Sequence, residues 1–126
     1  MDAGYAEEER EGMSIEERIV RAVAPIGIPC AHPNYDGEER TFLTFNLDAI
    51  PDNFADDGPL HERWLVQLHL FAPVTQNTRK LRKEIRNAVF AAGFTYPDQI
   101  DASEAFKKTD GSEQHIVFEF EDAEGI

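Results

Sequence analysis

Alternating apolar and polar residues in RWLVQLHLF, residues 63–71, constrain the fold of this chain more than any other feature. Every second side chain from Trp64 to Leu70 is apolar, which is the period of a β-strand with one face on a core. The opposite side, which carries Gln67 and His69, is mixed. Such a strand belongs to a sheet that is covered on one face and open on the other.

A helix is predicted directly after this strand. Thr75 or Asn77 in the turn TQNT is the expected N-cap, and Gly93 suits the position that follows a helix C-terminus. The apolar stripe of this helix consists of Leu81, Ile85, Ala88, Val89 and Ala92. A second helix is predicted to begin at Ser14, which forms a capping box with Glu17.

Three further segments have strand character. Residues 40–50 and 112–122 alternate in the same way as the first strand, and residues 95–106 are expected to add another. This order of elements predicts an α+β fold, one antiparallel sheet of about four to five strands with two helices packed on one face. Trp64 and Phe118 are expected to anchor its core.

Length and composition set the domain boundaries. A chain of 126 residues is expected to form one domain. Residues 1–12 are acidic and rich in glycine, so we expect a disordered extension. Residues 13–122 form the predicted domain, and residues 123–126 form a short C-terminal tail.

Charge and cysteine content exclude several classes of function. The net charge of −13 disfavours free binding to DNA and to anionic membranes. Cys30 is the sole cysteine, so no intramolecular disulfide can form, and we expect an inert thiol in a reducing compartment. No apolar run approaches the roughly 20 residues that a membrane span needs. We therefore expect a cytoplasmic location and no membrane partner.

The sequence contains no recognisable catalytic or metal-binding motif. His69 and His115 lie on the mixed faces of predicted strands and approach each other if those strands pair, but zinc needs three or four ligands. Strand carboxylates such as Glu119 and Glu121 leave a small metal-dependent nuclease open as an alternative. We expect no enzyme activity, no metal and no cofactor.

Basic side chains cluster on the outward face of the helix that follows the alternating strand. They are Arg79, Lys80, Arg82, Lys83 and Arg86. One interpretation is a solvated helix face. The other is an electrostatic contact with an acidic surface, including an acidic loop of a second copy of this chain.

That acidic loop is predicted at residues 51–62, PDNFADDGPLHE. It is long for a hairpin connection, which usually takes about 2–5 residues. Its candidate interface residues are Asp52, Phe54, Asp56 and Asp57. A phenylalanine among aspartates indicates packing against the domain or a neighbour, and a mobile hairpin tip is the alternative.

The chain resembles a family of small phage proteins over about residues 13–122. The resemblance depends on the order of elements, the Tyr-x-Gly turn at residues 35–37, the strand ending LFAP and the helix KLRKEIRNAVFAAGF. These features resemble the tail terminator, or tail completion, proteins of long-tailed phages and prophages.

The resemblance implies a structural role in virion assembly. Such a protein forms a ring, typically a hexamer, that caps the completed tail tube and presents a docking surface to the head connector. Its partners are then other copies of itself, the major tail tube protein and the head–tail connector proteins, and DNA is only passing cargo. Its location is the virion tail, or the host bacterial cytoplasm during assembly. A head–tail connector or another neck component is the alternative.

Overall fold

The computed structural model describes residues 13–55, 58–103 and 113–122 of the chain. The acidic extension expected at residues 1–12 and the tail expected at residues 123–126 lie outside the described residues. Within the described part, two α-helices and one five-stranded sheet form an α+β fold, which confirms the predicted class.

Helix α1, Ile15–Val23, begins at the predicted capping box. The Ser14 hydroxyl accepts a hydrogen bond from the Glu17 amide at 3.1 Å, and the Glu17 carboxylate accepts one from the Ser14 amide at 2.9 Å. The helix continues into a single 3-10 turn, Ala24–Ile26. Gly27 ends that turn at φ 92°, a left-handed conformation that favours glycine.

The strands are arranged in the order β1-β2-β3-β5-β4. Their bounds are Cys30–Ala31 for β1, Phe42–Ala55 for β2, Gly58–Pro73 for β3, Asp98–Asp101 for β4 and Glu113–Glu121 for β5. Three of the pairings are antiparallel, as predicted, but β1 runs parallel to β2, so the sheet is mixed. Parallel neighbours need a crossover connection, and residues 32–41 supply one for a strand of only two residues.

The prediction of a loop at residues 51–62 is wrong, because β2 and β3 stay paired as far as Ala55 and Gly58. Backbone pairing with the facing strand outweighs the weak strand propensity of Asp, Asn and Pro. Pro51 is compatible with the strand because of its register. The Leu43 amide donates a hydrogen bond to the Pro29 carbonyl, on the side of β2 that faces away from β3. The other odd-numbered residues of β2, including Pro51, direct their backbone groups to the same side. The missing N–H of Pro51 therefore removes no hydrogen bond to β3.

Helix α2, Arg79–Ala91, follows β3 after a short turn. Thr78 occupies the N-cap position, one residue beyond the predicted Asn77. The Asn77 side chain nevertheless accepts a hydrogen bond from the Arg79 amide at 3.0 Å. Gly93 has the left-handed φ of 101° expected after the helix end.

Both helices pack against the same face of the sheet and form one core with it. Its buried members are Ile19, Ala22, Val23, Leu43, Phe45, Val66, Leu68, Leu70, Ile85, Val89, Ala92, Phe94, Ile116, Phe118 and Phe120. Phe118 is fully buried, as predicted. Trp64 is only half-buried, because it pairs with Ala49 at the end of the covered part of the sheet.

A buried ion pair fixes α1 to the end of β5. Arg18 Nη1 lies 2.9 Å from Asp122 Oδ2, and both side chains are more than nine-tenths buried. The guanidinium also lies 4.4 Å from the centre of the Phe94 ring, where the ring's π-electrons stabilise the cation. Helix α1 is therefore held firmly over the sheet.

Candidate functional site

The predicted basic face of α2 divides into two parts. Arg79, Lys80 and Lys83 are exposed, and no carboxylate in the described part of the chain lies within ion-pair distance of them. Arg82 and Arg86 are partly buried and donate hydrogen bonds to neighbouring side chains. The first three residues are therefore the ones available to an acidic partner.

Gln114, at the start of β5, connects α2 to the sheet. Its side-chain nitrogen donates to the carbonyl oxygens of Pro73 and Gln76, each at 2.8 Å. Its side-chain oxygen accepts from the Thr78 hydroxyl at 2.9 Å and from Arg82 at 3.0 Å. Because Gln114 and Thr78 are buried, these bonds fix the N-terminal end of α2, and Arg82 has a structural role there.

The far ends of β2 and β3 form a two-stranded arm, residues 49–55 and 58–63. β5 ends its pairing at Leu65, and β1 pairs only with Leu43 and Thr44. Within the described residues the two strands of the arm therefore pair only with each other. Both outer edges of the arm present backbone groups that another strand can use.

The acidic candidate residues belong to this arm. Asp52 and Phe54 lie on its first strand, at positions that pair with the second strand. Asp56 and Asp57, at the connection between the strands, lie outside the described residues. The sequence thus assigned this segment the wrong local structure, and its role as an interface stays a prediction.

A hydrogen-bonded row crosses the sheet face opposite the helices. His69 Nδ1 lies 2.9 Å from His115 Nε2, and His69 Nε2 lies 2.7 Å from Asn46 Oδ1. The Phe71 ring stacks on His115 with centres 4.3 Å apart. The predicted approach of the two histidines is confirmed.

The surroundings of these rings favour their neutral forms. Burial lowers the pKa of His69. Burial, and secondly the adjacent His69, lower the pKa of His115 to about 4, although the Asp101 carboxylate acts in the opposite direction. At neutral pH both rings are therefore uncharged, and each carries one N–H: His69 Nε2 donates to Asn46 Oδ1, and His115 Nε2 donates to His69 Nδ1.

The described residues offer little to a metal ion or to an electrophile. No group of three or more His, Cys, Asp or Glu side chains there could hold a metal ion. Burial raises the pKa of the Cys30 thiol to about 11, so this thiol is protonated and a poor nucleophile at neutral pH. In the same part of the chain no helix has the length and apolar composition to cross a bilayer. The absence of enzyme activity stays a prediction.

Sequence reasoning missed an exposed aromatic pair on the outer side of α2. Phe90 is 57% exposed and Tyr96 is 50% exposed, and their rings meet edge to face with centres 5.5 Å apart. The sequence contained a signal for it. Phe90 lies outside the helical stripe that includes Ile85 and Val89, and a large aromatic side chain there must face away from the core.

Comparison of the chain with protein families, curated proteins and solved structures finds no match. Function is therefore inferred from the residues of the chain itself. The surfaces that bear on it are the arm, the exposed basic part of α2, and the aromatic pair.

Proposed function

We propose that this protein is a structural component of a phage or prophage tail, the tail terminator. It assembles into a ring on the completed tail tube and forms the docking surface for the head connector. It acts in the host cytoplasm during assembly and remains in the virion tail. The resemblance of residues 13–122 to that family motivates the proposal, and the projecting arm is the structural observation that supports it.

The arm has a form that suits assembly better than catalysis. Its seven residues from Ala49 to Ala55 extend about 20 Å at 3.3 Å per residue. A ribbon of this length, whose edges pair with no other strand among the described residues, is exposed to pairing with other chains unless it has a partner. A ring or tube contact supplies such a partner.

The two ends of the molecule carry opposite charges, which favours a different partner at each end. Residues 48–62 contain five acidic and no Lys or Arg residues, the acids being Asp48, Asp52, Asp56, Asp57 and Glu62. The exposed basic residues of α2 lie near Gln114, at the opposite end of β5 from the arm. The nine residues of β5 separate these surfaces by roughly 30 Å, so the arm cannot neutralise the helix of its own chain.

This separation fits a terminator ring. One surface attracts a basic partner and the other an acidic partner, as a protein between tail tube and head connector requires. Acidic arms near the pore also repel DNA phosphates and let the genome pass without binding.

Electron microscopy of the purified protein tests the proposal, with its mass measured in parallel by light scattering. We expect rings with a central pore that bind one end of tail tubes assembled from the major tail protein. Rings that bind a head connector but no tube would favour another neck component. A monomer at all concentrations that binds no tube contradicts the proposal.

A further inference from the structure

The two lateral edges of the fold carry complementary features. Helix α1 lies beside β1 at one edge of the sheet. Helix α2 lies beside β4 at the other edge, where Arg86 hydrogen-bonds to Gln99. With the strand order β1-β2-β3-β5-β4, adjacent strands about 4.8 Å apart place these edges roughly 20 Å from each other.

An apolar groove of about 550 Å³ opens at the α1 edge. Its walls include Met13 and Val20, and Phe45 lies at its base. Val20 is 41% exposed, whereas the neighbouring Ile19 is buried in the core. The His32 ring closes one side by stacking on Phe45 with ring centres 4.6 Å apart. A groove of this size is comparable to the pockets that enclose drug-sized ligands.

The rim of this groove is mainly acidic. Glu16 and Glu17 lie along it, together with one basic residue, Arg21. The Nη1 of Arg21 donates to the Met13 sulfur at 3.7 Å, a contact that leaves its charge in place, so the rim keeps a net charge of −1. An apolar group accompanied by a positive charge therefore complements the groove.

The opposite edge of the same molecule presents such a group. Phe90 and Tyr96 support each other edge to face, and the Arg86 Nε donates a hydrogen bond to the Tyr96 hydroxyl at 3.3 Å. The exposed cation Lys83 lies one helical turn before Arg86. Exposed aromatic pairs of this kind are typical of interaction surfaces, because burial of each ring removes a large apolar area from water.

We propose that the Phe90–Tyr96 pair of one copy inserts into the α1 groove of the next copy. This inference rests on the ring proposed above and names its lateral contact. The pair cannot reach the groove of its own chain, because the width of the sheet separates them. Since the two surfaces differ and lie on opposite edges, the contact is head to tail, which is the kind that closes into a ring. Arg86 and Lys83 then face Glu16 and Glu17 across the contact.

Two variants, each altered on one side of the contact, test this geometry. Val20→Lys changes the groove and keeps α1 helical, because Glu16 precedes the new lysine by four residues and pairs with it. The double variant Phe90→Ala, Tyr96→Ala removes the aromatic pair but leaves the groove intact. Both sites are exposed, so each protein should keep the wild-type circular dichroism spectrum and melting temperature.

The matched control is Val74→Lys. Val74 is 56% exposed, in the turn between β3 and α2, and belongs to neither surface. It should leave the oligomer mass unchanged and thus shows that a lysine at an exposed valine does not by itself prevent assembly.

Analytical ultracentrifugation at several protein concentrations measures the oligomer mass of wild type and of each variant. Wild type and Val74→Lys should form the ring, and each of the two altered proteins alone should be monomeric. An equimolar mixture of these two should give a 1:1 dimer and nothing larger. The intact groove of one variant binds the intact aromatic pair of the other, and the dimer then has no second pair of intact surfaces with which to add another copy.

The possible failures are distinguishable. A full-size ring formed by Val20→Lys or by Phe90→Ala, Tyr96→Ala overturns this contact and leaves the proposed ring intact. Monomeric altered proteins whose mixture gives no dimer also overturn the head-to-tail contact. If wild type is monomeric at every concentration, both this contact and the proposed ring are wrong.

Discussion

At the scale of single residues, the histidine pair has the clearest measurable consequence. His115 is 2% exposed and its ring contacts those of both His69 and Phe71. The folded protein therefore disfavours a positive charge at this position, whereas the unfolded chain accepts one near the ordinary histidine pKa.

We expect the protein to lose stability as the pH falls from 6.5 towards 4. Burial lowers the pKa of His115 from 6.5 to about 4 in the folded state, so the unfolded state binds more protons in this window. Stability then rises with pH across it, by up to about 3 kcal/mol from this site. Urea unfolding at several pH values measures the slope.

The variant His115→Phe should flatten that slope. Phenylalanine keeps the stack on Phe71 but cannot take up a proton. Because carboxylates begin to titrate below about pH 5, the comparison is made between pH 6.5 and 5. A variant slope equal to that of wild type in this interval would show that His115 is not the source.

The two predicted core anchors, Phe118 and Trp64, differ in how deeply they are buried. Phe118 is fully buried and Trp64 half-buried at the base of the arm. Phe118→Ala should cost about 3–5 kcal/mol of unfolding free energy, and Trp64→Ala about half as much. Denaturant unfolding of both variants measures the difference, and equal losses would mean that the two aromatic side chains are equally buried in solution.

At the scale of elements, the arm is separable from the rest of the sheet. The core strands pair along their central parts, while residues 49–55 and 58–63 pair only with each other among the described residues. The core members named above belong to the helices, to Phe94 and to the parts of the strands outside the arm. We therefore expect the function of the arm to be independent of the stability of the domain.

An arm-shortened protein tests that independence. Ile50 and Arg63 pair directly, so replacing residues 51–62 with Asn-Gly gives the two-residue turn that such a hairpin prefers. The melting temperature should stay near that of wild type, while binding to the tail tube or ring formation is lost. If the shortened protein forms rings and binds tubes at the wild-type level, the arm takes no part in assembly.

At the scale of the whole molecule, the exposed basic part of α2 is separated from the acidic arm by the length of the sheet. A contact through Arg79, Lys80 and Lys83 must therefore involve a different molecule. Arg82 is unsuitable for testing this contact, because its replacement would also break the hydrogen bonds to Thr78 and Gln114.

The double variant Arg79→Glu, Lys80→Glu should weaken attachment of the ring to its acidic partner, and it leaves Lys83, which faces the lateral contact, unchanged. Exposed charges act mainly on association and are screened by salt. The defect should therefore be large at low ionic strength and should disappear at high ionic strength. Glu84→Lys, on the same exposed helix surface, is the matched control and should not weaken attachment. Equal binding of the double variant and wild type at low salt would contradict the role of this surface.

Local patterns in the sequence determined the secondary structure and the core. The capping box at Ser14, the helical stripe through Ile85 and Val89, and the alternation through Leu68 each depend on neighbours in the chain. Helix stripes and strand faces can bury their apolar side only against each other. For this reason the α+β class, the covered sheet face and the burial of Phe118 could all be predicted.

Only the tertiary structure decided the properties that depend on distant partners. Strand pairing extended β2 through Pro51, since a ladder hydrogen bond depends on the facing strand and not on local propensity. Gln114, far along the chain, made Arg82 a structural residue, whereas Lys80 is exposed. The contact between Phe90 and Tyr96 was decided in the same way, because Tyr96 lies beyond the end of α2 and the folded chain brings its ring back to the helix.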